Sequence, residues 1–123
     1  MEITPLVPGG RQLIQSYGGG GFTVAGSRHV GSIVILPERT LPWTVATATD
    51  LSLASLDVVT ATGVDLVLIG TGAVGTMVPP TLRAALKAAG VAAESMTTAS
   101  ACRTFNVLLA EDRRVAAALM AIE

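Results

Sequence analysis

The segment that most limits how this chain can fold is the apolar run at residues 66–69, Leu-Val-Leu-Ile, which follows Asp65. The run has no polar face, so both of its sides must be covered by other parts of the protein. Strands of this kind are typical of sheets that carry helices on both faces. The run therefore predicts a layered α/β domain.

The composition of the chain agrees with a single domain that has an aliphatic core. The chain has 123 residues, of which 50% are hydrophobic and only 3% aromatic. No uncharged apolar run approaches the roughly 18 residues that a membrane-spanning helix needs. Residues 1–21 contain Glu2, Arg11 and two prolines, and they lack the apolar stretch of a signal peptide. We expect a soluble cytoplasmic protein that does not insert into a membrane.

Charge and the scarce reactive residues exclude several classes of function. The net charge is −1, and the eight basic residues are scattered, with only Arg113 and Arg114 adjacent. This distribution argues against nucleic-acid binding, which needs a clustered basic surface. Cys102 is the only cysteine and His29 the only histidine. An internal disulfide, a Cys-x-x-Cys motif and a multi-histidine metal site are therefore impossible, and we predict no metal and no cofactor.

The first third of the chain reads as β-hairpin material. Residues 1–21 are predicted to be an irregular N-terminal arm that ends in four glycines, and residues 22–123 to be a single domain. A strand begins at Phe22, residues 25–27 form a turn, and residues 29–36 return as a second strand. Residues 43–45 form a further short extended segment.

The rest of the chain alternates helices and strands. The spacing of apolar residues predicts a helix capped by Asp50 and running through residue 62. A second helix begins near Pro79 and ends at Gly90, and a strand follows at residues 91–96. Thr97 or Thr98 caps a third helix. Residues 115–122 lack a polar face and are predicted to form a central strand, although alanine and leucine favour helix by propensity.

A glycine motif after the buried strand fits the dinucleotide-binding pattern, and it runs Gly70-Thr71-Gly72-Ala73-Val74-Gly75. Glu94 lies near the position of a ribose-binding acid. In the dinucleotide fold, however, a helix begins within the glycine motif, and Pro79 and Pro80 would break such a helix at a cost of about 3 kcal/mol for an interior proline. We therefore predict an open loop at residues 70–78, followed by a helix that begins near Pro79.

The loop has two interpretations. In the first, Gly70 and Gly72 simply let the chain turn off the end of a strand. In the second, the loop lines a crevice for a small anionic ligand together with Thr97 and Thr98, because ligands in open α/β sheets bind outside the carboxyl ends of the strands. Gly70, Thr71, Gly72, Thr97 and Thr98 are therefore candidate ligand-binding residues.

Several segments in order along the chain resemble the Mth938-like family, also called domain of unknown function 498. The most specific segment is residues 96–111, Met-Thr-Thr-Ala-Ser-Ala-Cys-Arg-Thr-Phe-Asn-Val-Leu-Leu-Ala-Glu; weaker ones are residues 21–24, 31–37, 43–45, 69–72 and 79–83. The resemblance implies a mixed β-sheet layered with helices and a small extra β-hairpin layer, in which the last strand is antiparallel to the others. It also implies relationship to a mitochondrial assembly factor of respiratory complex I, which works through a protein partner.

Four further residues are candidates for function. Cys102 near a helix N-terminus could be a nucleophile, but it lacks an evident base, and a buried, inert cysteine is the commoner case. Arg103 in the first turn of a helix suggests an anionic ligand or a structural pair with Asp65 or Glu94. Asn106 either joins that ligand site or bonds a loop carbonyl. Trp43 is either a core residue or a contact for a partner.

The sequence thus favours a non-enzymatic binding or assembly module that acts through an unidentified protein partner. A small anionic ligand in the Gly70/Thr98 crevice is part of this prediction. The alternative is a small enzyme or a nucleotide- or cofactor-binding protein that uses the same crevice. Association of the chain with itself stays open.

Overall fold

The main sheet of the protein has five strands in the order β5-β4-β8-β6-β7. The computed structural model describes residues 11–123. The predicted mixed α/β fold is confirmed, and its elements are β1 (Ile14–Gly18), β2 (Gly21–Val24), β3 (Ser27–Val30), β4 (Ile33–Ile35), β5 (Thr40–Pro42), α1 (Asp57–Thr60), β6 (Leu66–Gly70), α2 (Pro80–Ala88), β7 (Ala92–Met96), α3 (Thr98–Ala110) and β8 (Val115–Leu119).

The direction of β8 corrects one expectation. We expected the last strand to be antiparallel to the others, but β8 is parallel to its neighbour β6 and antiparallel only to β4. The 13-residue helix α3 carries the chain back across β6, so β8 enters the sheet in the same direction as β6 and β7. A crossover of this kind is what parallel neighbours require.

A second, three-stranded antiparallel sheet is formed by β1, β2 and β3. Residues 14–18 are therefore strand rather than part of an irregular arm, whereas residues 1–10 of that arm lie outside the described residues. The hairpin turn between β2 and β3 is confirmed: Ala25 and Gly26 both have positive φ, as in the two-residue turns that match strand twist. The predicted strand at residues 29–36 is divided by Gly31, at φ +87°, between the two sheets.

Residues 43–62 differ most from the prediction. Strand β5 ends before Trp43, and the predicted helix from Asp50 is replaced by two short 3₁₀ turns and the four-residue α1. The Asp50 carboxylate accepts the backbone N–H of Thr47 at 3.4 Å, so Asp50 closes a turn instead of opening a helix. Ser52 and Ser55 accept each other's backbone N–H groups, at 3.0 and 3.1 Å. Local bonds of this type compete with the helix.

The later elements match their predictions closely. Helix α2 begins at Pro80, with Pro79 as its N-cap, and Thr97 caps α3 by accepting the Ser100 N–H at 3.2 Å. Every residue of β8 is buried.

The main sheet separates two hydrophobic clusters. Val67 and Ile69 face α2 and its Leu86, whereas Leu68 faces α3 and its Phe105. This alternation explains why β6 is apolar at every position.

Candidate functional site

The loop at residues 71–79, here called the glycine loop, is fastened to α3 by Thr98. The Thr98 hydroxyl accepts the Gly72 N–H at 2.9 Å and donates to the Met120 carbonyl at 2.8 Å. The Thr98 N–H donates in turn to the Gly72 carbonyl at 2.9 Å. Because Thr98 is fully buried, its bond to Met120 is shielded from water. Together the three bonds connect the start of the loop, the start of α3 and the end of β8.

Gly70 and Thr71 complete this junction. A Cβ atom on Gly70 would lie 2.9 Å from the Thr98 Cα and 3.0 Å from the Leu119 side chain, so glycine is required by the close approach of α3. Thr71 donates its N–H to the Met96 carbonyl at 2.9 Å, and its hydroxyl accepts the Thr76 N–H at 2.6 Å. The junction is thus built from glycines and threonine hydroxyls.

Three backbone N–H groups of the glycine loop bond side chains of the protein itself. Those of Gly72 and Thr76 donate to the hydroxyls of Thr98 and Thr71, and that of Val78 donates to Ser95 at 3.4 Å. In a dinucleotide site such groups would bind the pyrophosphate. The predicted loop, followed by a helix that begins near Pro79, is confirmed. Exposed Glu94 lies 4.0 Å from Arg83 in an ion pair.

The candidate ligand-binding residues fall into two groups. Gly70, Thr71, Gly72, Thr97 and Thr98 meet at the junction, where the backbone of Gly75 also packs against Thr97. Arg103 and Asn106 lie further along α3 and contact the small sheet instead. The exposed Arg103 donates to the Tyr17 hydroxyl at 2.9 Å, rather than to the suggested Asp65 or Glu94.

Asn106 holds the first strand against α3. Its side-chain oxygen accepts the Ile14 N–H at 3.0 Å, and its side-chain nitrogen donates to the Ile14 carbonyl at 2.8 Å. Both bonds are buried, so Asn106 has a structural contact of the kind that the sequence offered as one of two alternatives.

Cys102 lies inside the cluster between α3 and the small sheet and is fully buried. Burial raises the pKa of its thiol to about 12, although the neighbouring charge of Arg103 acts in the opposite direction. The thiol therefore stays protonated at neutral pH, and a protonated thiol is a poor nucleophile.

Trp43 is a core residue, since its side chain is only 8% exposed and its indole N–H donates to the Ser55 carbonyl at 2.8 Å. The buried ring agrees with the core alternative for Trp43 and not with the partner-contact alternative.

Two further observations concern metal sites and membrane-spanning helices. Within residues 11–123, no three His, Cys, Asp or Glu side chains group closely enough to hold a metal ion. The helices of this part of the chain are all too short or too polar to cross a membrane.

The outer side of the glycine loop carries two exposed apolar residues that were not predicted from the sequence. Val74 is 90% exposed and Met77 is 81% exposed, although both are apolar. The sequence does indicate this exposure, because the two residues lie in a predicted loop and belong to no helical or strand pattern of apolar residues. A cavity of about 440 Å³ at the opposite end of the sheet was also missed, and it is lined by Leu36, Pro37, Glu38, Arg39, Thr62 and Arg114.

Comparison with known proteins identifies the family. The family described as "Protein of unknown function (DUF498/DUF598)" matches residues 14–120. This chain belongs to that family. It is 45% identical over 120 residues to an uncharacterized protein of Rhodobacter capsulatus, and the match covers 96% of this chain and 93% of that protein.

Two further relatives connect the family to an assembly factor and to a solved fold. The chain is 34% identical over 110 residues to NADH dehydrogenase (ubiquinone) 1 alpha subcomplex assembly factor 3 of Xenopus tropicalis; the match covers 88% of this chain but only 60% of the factor. A solution structure from Bordetella pertussis, described as a Mth938-like domain, superposes with a TM-score of 0.81 at 26% identity, covering 98% of this chain and 92% of that one. The Mth938-like fold and the relationship to complex I assembly factors are thereby confirmed.

Proposed function

We propose that this protein is a non-enzymatic binding or assembly module that acts through contacts with another protein. The observation that carries the proposal is the outer side of the glycine loop, where Val74 and Met77 are exposed. Large apolar side chains grouped on a surface are characteristic of interaction sites, and methionine adapts readily to the shape of a partner.

The way in which the loop is held strengthens this proposal. Thr98 fixes its first turn, Thr71 accepts the N–H of Thr76, and Ser95 accepts the N–H of Val78. The positions that flank Met77 are therefore already ordered before any partner arrives. A preordered surface loses less conformational entropy on binding and so binds more tightly for the same contacts.

The relatives support the same proposal. The Xenopus tropicalis relative is named as an assembly factor, and assembly factors act on other proteins. Because the chain spans 60% of that factor, the partners of the whole factor are not assigned to this chain.

The finer predictions stay proposals. A small anion in the Gly70/Thr98 crevice would have to compete with the threonine hydroxyls for the N–H groups of Gly72 and Thr76. Titration with inorganic phosphate, followed by amide chemical shifts, tests this point: shifts confined to Gly72, Thr76 and Thr98 would support the ligand.

The alternative of an enzyme or a nucleotide-binding protein depends on the same N–H groups. Cytoplasmic location also stays a prediction, which cell fractionation tests.

A pull-down from native cells with mass spectrometry tests the main proposal. The wild-type chain should capture a defined partner, and the double variant Val74→Asp, Met77→Asp should lose it. Val107→Asp is the matched control, because Val107 is also apolar and 57% exposed but lies on α3. Equal capture by the wild type and the double variant would rule out the glycine loop as the contact.

A further inference from the structure

Strand β7 forms one edge of the main sheet, with β6 as its hydrogen-bonded neighbour in the described part of the chain. The Ala92 N–H donates to the Asp65 carbonyl, and the Met96 carbonyl accepts the Thr71 N–H, both at 2.9 Å. Residues 92, 94 and 96 therefore turn their backbone groups toward β6. Since successive residues of a strand point in opposite directions, Ala93 and Ser95 turn their N–H and C=O groups toward the open edge.

The other strand edges in residues 11–123 are better protected. Strand β5 has only three residues and ends in Pro42, and β3 carries Arg28. Strand β1 is covered by α3, where the Asn106 side chain bonds both the N–H and the carbonyl of Ile14. Short length, proline and charge are the usual features that prevent an edge from pairing with another chain. Strand β7 has five residues, Ala-Ala-Glu-Ser-Met, with regular pairing to β6 and one charged side chain. It is thus the edge that is best suited to accept another strand.

The surroundings of β7 indicate the charge of the incoming strand. A cavity of about 260 Å³ runs along it and is lined by Arg83, Lys87, Ala92, Ala93 and Glu94. Arg83 and Lys87 project from α2 on one side of the edge. The ion pair of Arg83 with Glu94 is long, at 4.0 Å, and both side chains are exposed, so it holds Arg83 only weakly. The α2 side of the edge therefore favours acidic side chains.

A second copy of this chain is a poor occupant. Two β7 strands could pair antiparallel through the outward N–H and C=O groups of Ala93 and Ser95. In that register Ala93 pairs with Ser95 of the other copy, and the pairing is centred on Glu94. Glu94 would then stand directly opposite its own equivalent. Like charges in that position destabilise a strand pair.

We propose that β7 accepts an extended segment of a different protein, which adds a strand to the main sheet and places acidic side chains at alternate positions facing Arg83 and Lys87. Strand addition of this kind derives affinity from backbone bonds and specificity from alternate side chains. The inference rests on the proposed function and describes how the partner binds. The bond from Val78 to Ser95 connects the glycine loop to the same edge, so the two form one surface.

Two labelled heptapeptides test the proposal without the natural partner. The acidic peptide is Thr-Asp-Val-Asp-Val-Asp-Thr, and its counterpart replaces each aspartate by lysine. In fluorescence anisotropy with the full chain, the acidic peptide should bind about tenfold more tightly than the lysine peptide, since two exposed charge pairs are gained. Hydrogen exchange at the Ala93 and Ser95 amides should slow when the acidic peptide is added.

Three variants make the result specific to the edge. Ser95→Pro removes an outward N–H without breaking the ladder to β6 and should abolish peptide binding. Ser95→Ala loses the same hydroxyl, which accepts the Val78 N–H, but keeps the outward N–H, so it controls for the lost hydroxyl and should still bind the acidic peptide more tightly than Ser95→Pro does. Lys87 is exposed on α2, so Lys87→Glu should leave the fold intact. It should abolish the preference for the acidic peptide. Arg113→Glu, an exposed residue outside the lining of this cavity, is the control.

The outcomes separate this inference from the proposed function. If neither peptide binds, or if Ser95→Pro and Lys87→Glu bind like the wild type, the edge inference is overturned. A native partner captured equally by the wild type and by Ser95→Pro would overturn it as well, while leaving the proposed function standing. If the acidic peptide binds as expected but no native partner is captured, the proposed function fails and the edge remains a peptide-binding site.

Discussion

The buried face of α3 and the outer side of the glycine loop lie on either side of one junction, yet their side chains do different work. On α3, Thr98 and Asn106 bond backbone groups that are 26 and 92 positions away in sequence. On the loop, Val74 and Met77 extend into solvent without such bonds, whereas the buried Thr71 hydroxyl accepts the backbone N–H of Thr76.

The difference teaches that polar residues in a glycine-rich region need not form a ligand site. Thr98 and Asn106 satisfy buried backbone groups of Met120 and Ile14, which would otherwise cost about 1–3 kcal/mol each. The apolar residues are the ones left on the surface. On this view, changes on the buried face of α3 should alter stability, and changes on the outer loop should alter binding alone.

The largest loss of stability is expected for Asn106→Ala. Both polar groups of Ile14 would lose their partner inside the protein, so the free energy of unfolding should fall by about 2–5 kcal/mol. Urea denaturation measures the change, with the exposed neighbour Val107→Ala as the control. A loss below about 1 kcal/mol would mean that β1 is not held by this side chain.

Gly70→Ala is expected to come next, with a loss of about 1–3 kcal/mol from overpacking. The added methyl group would press on the Thr98 backbone, so amide exchange at Gly72 should speed up. Gly63→Ala is the control: Gly63 lies in the turn after α1 with open space around it, and its φ of +80° makes the substitution costly for a different reason. Gly63→Ala should leave the Gly72 amide unchanged. Slow exchange at Gly72 in the Gly70 variant would contradict the junction described above.

Cys102→Ala should cost about 1 kcal/mol at neutral pH, from lost apolar contact and a small cavity. The raised pKa of the thiol adds a pH dependence. In the unfolded chain the thiol ionises near its ordinary value of 9.0, whereas in the folded chain it holds its proton to about 12. Its contribution is therefore complete below pH 9 and is lost as the pH rises toward 12, by up to about 1.4 kcal/mol per unit.

Urea denaturation at pH 8 and pH 10 checks this dependence. The stability advantage of the wild type over Cys102→Ala should shrink between the two values. Parallel behaviour of the two proteins would show that the thiol is not desolvated in the folded state. Partner capture by Cys102→Ala should equal that of the wild type, and loss of capture by a folded variant would point to thiol chemistry.

The smallest effect on stability is expected for the double variant Val74→Asp, Met77→Asp. Both side chains are exposed, so the free energy of unfolding should change by no more than about 0.5 kcal/mol. Thermal melts measure it, alongside the capture experiment. A large destabilisation would mean that these residues pack against the protein and are not a free surface for binding.

Sequence by itself determined the parts of the fold that depend on local burial and local stereochemistry. The apolar runs of β6 and β8 required two covered faces, whatever the rest of the chain did. Pro79 and Pro80 fit the start of a helix and not its interior, so the sequence predicted an open loop at the glycine motif and argued against a dinucleotide site there. Several segments in order along the chain, of which residues 96–111 are the most specific, predicted the family, and the match over residues 14–120 confirms it.

The tertiary structure decided which segments pair and which groups remain unpaired. The parallel direction of β8, the division at Gly31 and the short turns at residues 48–56 depend on contacts between distant segments, and a local period carries no information about them. The roles of Thr98 and Asn106 also depend on the fold, because the sequence pattern of a threonine or asparagine on a helix is the same whether it binds a ligand or a buried carbonyl. Only the fold places Ile14 beside Asn106 and leaves the backbone groups of Ala93 and Ser95 at an open edge.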